Sequence, residues 1–124
     1  MPDNMKTIFL VDDNMTNLMM GKNALKDKYR TYTMSSAEKM FELLEKIKPD
    51  IILLDVLMPQ MSGYDAIKIL KKSENAYIPV VFVSGNDDAA SKEEGMALGA
   101  LDYIYKPFSS AELQDCIEQR VNSK

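Results

Sequence analysis

The 124-residue chain contains no histidine at all and a single cysteine, Cys116. Without histidine there is no imidazole base, no triad built on one and no internal phosphohistidine, so any histidine chemistry has to come from another molecule. A lone cysteine can form no internal disulfide and has no second cysteine or histidine with which to hold zinc, which leaves Cys116 as a small apolar helix residue. Basic charge is also short. Fifteen Lys and Arg against nineteen Asp and Glu give a net charge of -4, and no basic stripe stands out, so the clustered positive surface that neutralises nucleic-acid phosphates is missing. No apolar run approaches the roughly 18 residues of a membrane span. The opening MPDNMKTIFLVDD lacks the apolar core and cleavage site of a signal peptide. Neither nucleic acid nor a membrane is therefore expected as a partner, and the chain is expected to be cytoplasmic. Repeats, low-complexity tracts and linkers are absent too, so residues 1–124 are expected to form one domain of ordinary size.

What is present alternates. Five short apolar runs, TIFLV, YRTYTM, IILLD, VVFVS and DYIY, are separated by longer amphipathic stretches at about Asn14 to Lys28, Ser36 to Lys46, Gly63 to Lys72, Asp88 to Leu98 and Ser110 to Val121. Strands alternating with helices mark a doubly wound parallel α/β sheet, a three-layer sandwich. IILL and VVFV are apolar at successive positions, so their strands should be central and covered on both faces, with the second and fifth at the edges. Ser35 with Glu38, Ser62 with Asp65 and Ser109 with Glu112 have the spacing of capping boxes, and Gly99 follows the fourth helix where a left-handed residue is often needed.

In an open sheet of this kind ligands bind beyond the carboxyl ends of the strands. The first strand ends in Asp12 and Asp13, the third in Asp55, the fourth in Ser84, and the fifth runs into Lys106 and Pro107. One aspartate after a strand is usually a turn or helix cap. Capping does not explain polar groups delivered to one rim by every strand but an edge one. Three carboxylates together repel and raise one another's pKa, a strain that a divalent cation removes. All-oxygen ligation suits a hard ion, Mg²⁺ with Mn²⁺ as substitute. Such a site asks for a phosphoryl group, to which Lys106 offers an ammonium and Ser84 a hydroxyl, while Asp55 can act as nucleophile and form an acyl phosphate.

The patterns VDDN at 11–14, ILLDVLMPQMSGYD at 52–65, VVFVSG at 80–85 and YIYKPFS at 103–109 resemble the response-regulator receivers of two-component signalling, over nearly the whole chain. The resemblance implies a flavodoxin-like strand order 2-1-3-4-5, with helices one and five on one face and two, three and four on the other. It makes Asp12 and Asp13 the acidic metal pair, Asp13 binding directly and Asp12 largely through water. Asp55 becomes phosphoacceptor and metal ligand, and the backbone carbonyl of Leu57 completes the protein's share of the coordination. Ser84 becomes the switch hydroxyl, Lys106 the phosphate-binding lysine and Tyr103 the switch aromatic. It further implies a cis Lys106–Pro107 peptide bond, roles for Gly63 and for the small Gly85, and Leu57 and Asn86 as the positions that set phosphoryl lifetime. Phosphate would draw the Ser84 hydroxyl inward, Tyr103 would turn into the vacated space, and the surface of helix four, strand five and helix five would change. The implied partners are a histidine kinase or histidine phosphotransfer protein and a downstream output domain or protein, with a phosphorylation-linked homodimer left open.

Placed at 100° per residue, the apolar residues of the first helix divide into two arcs, Met20, Ala24 and Leu25 in one and Met15, Leu18 and Met19 in the other. The second arc lies near the rim and is expected to stay partly exposed and to dock the phosphotransfer partner. Three rival readings are weaker. A haloacid-dehalogenase-type phosphatase needs an acidic residue where Leu57 stands. A flavodoxin-like flavin protein needs a serine-, threonine- and glycine-rich loop where Asp12 and Asp13 stand. A receiver that works without phosphorylation would not need all of the site residues found here.

Overall fold

A computed structural model describes residues 5–85 and 89–121. In chain order the elements are β1 (Thr7–Val11), α1 (Met15–Leu25), β2 (Arg30–Met34), α2 (Ala37–Leu44), β3 (Ile51–Asp55), α3 (Gly63–Lys71), β4 (Val80–Ser84), α4 (Ala89–Ala97), β5 (Asp102–Tyr105) and α5 (Ser110–Val121). The strands form one parallel sheet ordered β2-β1-β3-β4-β5, so the flavodoxin-like fold is that expected. Every residue of β3 and β4 is buried, because each is covered on both faces.

Side chains alternate across a strand, and here the alternation fills two cores. Phe9, Val11, Ile52, Leu54, Val80, Phe82 and Tyr103 face one core with Met40, Leu44, Ala66, Ile67 and Leu70 of α2 and α3. Ile8, Leu10, Ile51, Leu53, Val81, Val83 and Ile104 face the other with Leu18, Leu25, Leu113 and Ile117 of α1 and α5. Cys116 lies in the second core, where burial, the Asp102 carboxylate and, in opposition, Arg120 leave its thiol pushed up to about 11, an inert position.

Two local expectations are corrected. The cap of α2 is Ser36, whose Oγ accepts the Lys39 amide at 3.2 Å, and not Ser35, whose Oγ accepts from Lys39 Nζ at 3.1 Å. The helix begins one residue later than a Ser35–Glu38 box requires, so Glu38 stands too early to close it but still lies in the first turn, where the helix dipole favours an acid. Ser62 accepts the Asp65 amide, and Ser109 and Glu112 form the reciprocal box. The second correction concerns α1. Leu18, Gly21 and Leu25 face the sheet, at three- and four-residue spacing, and Leu18 is 4% exposed. Met15, Met19 and Met20 are exposed together. Leu18 is thus no part of a docking surface. Gly21 lets α1 lie close on β1, because a Cβ there would run into the Leu10 side chain. Leu18→Asp is expected to cost more than about 3 kcal/mol by burying an unpaired carboxylate, and Met19→Asp less than about 0.5 kcal/mol. Urea unfolding of the two variants measures the difference, and equal stabilities would contradict this orientation.

No helix among the described residues is long and apolar enough to cross a membrane.

Candidate functional site

Strand register puts the acidic residues together. Val11 of β1 lies beside Leu54 of β3, so the next residue along, Asp12, comes level with Asp55. Asp55 in turn lies beside Val83 and Ser84 beside Tyr105, and the Lys106 amide donates to the Ser84 carbonyl at 2.8 Å. The ends of β1, β3, β4 and β5 therefore meet on one rim. Asp12, Asp55 and Ser84 are buried, whereas Asp13 is exposed.

One carboxylate oxygen from each of Asp12, Asp13 and Asp55 lies within 4.8 Å of the other two. Lys106 reaches in from the end of β5, its Nζ 2.8 Å from Asp12 Oδ2 and 3.2 Å from Asp55 Oδ1. The other Asp12 oxygen, Oδ1, accepts the Asn14 amide at 2.9 Å, which fixes the carboxylate at the start of α1 while Asn14 itself caps that helix through Asn17. Burial, and then the negative charge of Asp12, raise the Asp55 carboxyl to about 7 against the opposing pull of Lys106. One ammonium does not neutralise three clustered carboxylates. Burial alone would lower the pKa of Lys106, but its hydrogen bond to Asp12 and the charges of Asp55 and Asp12 outweigh that and hold it above the ordinary lysine value. Hard oxygen donors with uncompensated negative charge fit a small divalent cation.

The loop after β3 is shaped by Gly63, whose amide donates to the Val56 carbonyl at 2.8 Å and where any Cβ would collide with the main-chain carbonyl of Asp55. Gln60 in that loop is left-handed, at φ 72°. Leu57, two residues after Asp55, is 66% exposed. A Cβ at Gly85 would meet nothing, so this position leaves the approach beside Ser84 open. The Lys106–Pro107 peptide bond is cis. Asn86 lies outside the described residues. Tyr103 is 4% exposed, with its ring turned in against Phe82 and Tyr105 at centroid distances of 6.1 and 5.5 Å. The chain's pattern singled out Leu57, Gly63, Gly85, Asn86, Tyr103, Lys106 and Pro107, but not the left-handed Gln60. It did not single out Tyr64, whose ring stacks edge-on to Phe82 and whose hydroxyl reaches α4, because a tyrosine in the first turn of a helix reads as ordinary packing.

An acidic pocket holding one lysine, at the carboxyl ends of a doubly wound parallel sheet, defines a class of phosphoryl-handling proteins. The sequence pattern of the response regulator receiver domain matches residues 8–118, and the chain belongs to that family. It is 34% identical over 119 residues to a probable cyclic di-GMP phosphodiesterase of Vibrio cholerae, a match spanning 95% of this chain and 27% of that protein. Among solved structures it resembles a putative response regulator from Chloroflexus aurantiacus (TM-score 0.90, 27% identity, 96% of this chain and 99% of that one). It also resembles the receiver domain of a Pseudomonas aeruginosa sensor histidine kinase, solved with a magnesium ion coordinated in its active site cleft (TM-score 0.87, 28% identity, 96% and 99%). The chain spans less than half the length of the curated relatives it matches.

Proposed function

We propose that the chain is a Mg²⁺-dependent phosphoacceptor switch that takes a phosphoryl group onto Asp55 from a histidine kinase or histidine phosphotransfer protein. The observation that carries this is the placing of Lys106 Nζ between Asp12 and Asp55, with Asp13 closing the acidic cluster. Asp12, Asp13, Asp55 and the Leu57 carbonyl would hold the cation, with Mn²⁺ as a substitute. When bound, the ion supplies positive charge that keeps Asp55 ionised and offsets charge on the incoming phosphoryl oxygens.

An Asp55 carboxylate oxygen bonds to phosphorus as the phosphorus–nitrogen bond of the donor breaks. The electron pair leaves on the imidazole, which takes its proton from water. Lys106 exchanges its carboxylate contacts for a phosphoryl oxygen and Ser84 donates its hydroxyl to another, so the chain contributes chiefly position and charge. Phosphorylation from small donors and hydrolysis of the acyl phosphate are then slow side reactions of a switch, and not the turnover of an enzyme. Leu57 shields the phosphoryl group from attacking water, whereas the side-chain amide of Asn86 can orient such a water. Met15 and Met19, 65% and 61% exposed on α1, supply an adaptable surface for the donor's helices. The response is read on α4, β5 and α5 by an output domain or protein.

The test is intact mass after incubation with acetyl phosphate and Mg²⁺. A gain of about 80 Da is expected for the unaltered protein, lost without metal and lost in Asp55→Asn. No gain under any condition, together with no binding of beryllofluoride, would leave a docking module that works without phosphorylation.

A further inference from the structure

Behind the acidic rim lies a ladder of aromatic rings that crosses from α3 to β5. Tyr64 meets Phe82 edge-on at 5.1 Å, Phe82 meets Tyr103 at 6.1 Å and Tyr103 meets Tyr105 at 5.5 Å. One wall of this ladder is α4, which approaches closely because residue 95 is a glycine. A Cβ there would stand 2.9 Å from Phe82 and 3.3 Å from Tyr103.

Tyr64 joins the ladder to that wall. Its hydroxyl donates to the main-chain carbonyl of Ser91 on α4 at 2.6 Å. The same hydroxyl interacts with the side chain of Tyr103, and burial together with that contact raises the Tyr64 phenol above its ordinary pKa. Tyr103 therefore occupies a slot floored by Phe82, walled by Gly95 and closed by Tyr64. A phenylalanine at position 64 would keep the packing with Phe82 but lose both the tie to α4 and the polar contact with the inward Tyr103.

The geometry points to Tyr64 as a positioning residue of the switch, which joins the inward Tyr103 ring to α4 and so sets how readily α4 and β5 follow Asp55. This rests on the phosphoacceptor reading above and names one more side chain on which that switch depends. The hydrogen bond and ring contact of Tyr64 are with Ser91 and Phe82, away from the acidic rim. Its effect runs through the balance between inward and outward Tyr103. On that reading the inward arrangement favours phosphate, so removing the Tyr64 hydroxyl weakens the response to a phosphoryl mimic by about the worth of one hydrogen bond, roughly five-fold in the equilibrium.

The experiment compares the unaltered protein with Tyr64→Phe, Tyr103→Phe and the double variant. Beryllofluoride affinity in the presence of Mg²⁺, Mg²⁺ affinity alone and amide exchange along α4 are measured for each. For Tyr64→Phe the expected result is beryllofluoride binding weakened about five-fold, faster exchange in α4 and unchanged Mg²⁺ affinity, because the acidic rim is untouched. Since Tyr64 acts through Tyr103, the double variant should lose no more beryllofluoride affinity than the weaker single variant. Unaltered beryllofluoride affinity in Tyr64→Phe, or losses that simply add in the double variant, would overturn the inference while leaving the receiver reading intact. A purely structural role for Tyr64 would lower the unfolding temperature without this non-additivity. If the unaltered protein bound no beryllofluoride, the phosphoacceptor reading itself would fall, and the role of Tyr64 with it.

Discussion

Replacing Asp55 with asparagine is expected to leave the protein unable to accept a phosphoryl group and, without metal, more stable than the unaltered chain above neutral pH. The folded protein holds the Asp55 carboxyl at about 7, first by burial and then by the charge of Asp12, against 3.8 for an unperturbed group. Between roughly pH 4 and 7 the folded state therefore binds more protons at this site than the unfolded chain does. The contribution of Asp55 to stability is most favourable below the lower value, falls as pH rises through the interval and levels off above pH 7. About three pK units correspond to at most about 4 kcal/mol, which the asparagine variant would recover at pH 8 and not at pH 4. A divalent cation acts in the same direction by offsetting the negative charge. The rise in melting temperature on adding Mg²⁺ should be small at pH 5 and large at pH 8, and it should shrink in Asp55→Asn. Calorimetry across that pH range checks both. A Mg²⁺ effect independent of pH would mean that the ion binds elsewhere.

Gly63→Ala is expected to be the most damaging single-methyl change near the site. The added Cβ collides with the carbonyl oxygen of Asp55 and stands 3.1 Å from Val56 Cα. Backbone cannot turn aside as a long side chain can, so either α3 lifts away from the sheet or the end of β3 moves. A cost of about 3 kcal/mol, near the upper end for overpacking, corresponds to a fall of roughly 10 °C in melting temperature for a domain of this size. Because the displaced carbonyl belongs to the proposed phosphoacceptor, phosphoryl uptake from acetyl phosphate should fall as well, even at temperatures where the variant is fully folded. Gly85→Ala is the matched control. A Cβ there meets nothing within 4 Å, and stability should change by less than about 0.5 kcal/mol. Equal effects at the two glycines would argue against a constriction at position 63.

The alternation of apolar runs with amphipathic stretches, and the fully apolar IILL and VVFV, determined the sheet, its two buried central strands and the helices between them. Period-2 and period-3.6 patterning is a local property that the chain carries in itself. The rim was legible for the same reason. A residue at or directly after the end of a strand must emerge at its carboxyl end, so the sequence alone assigns Asp12, Asp13, Asp55, Ser84 and Lys106 to one edge.

Only the tertiary structure decided matters that depend on distance across the fold. Periodicity showed that α1 has more than one apolar arc, but only the packing against β1 shows that Leu18, Gly21 and Leu25 form the buried face, with Gly21 close to Leu10. Capping pattern offered Ser35, whereas the extended Ser36, whose side chain accepts the Lys39 amide, is the cap. The raised carboxyl of Asp55, the placing of Lys106 between two aspartates and the reach of Tyr64 to Ser91 arise between residues far apart in sequence. The sequence by itself determined which groups stand on the rim. Strand register across the sheet decided how close they come, because charge repulsion, burial and hydrogen bonding depend on separations of a few ångströms that no local pattern encodes.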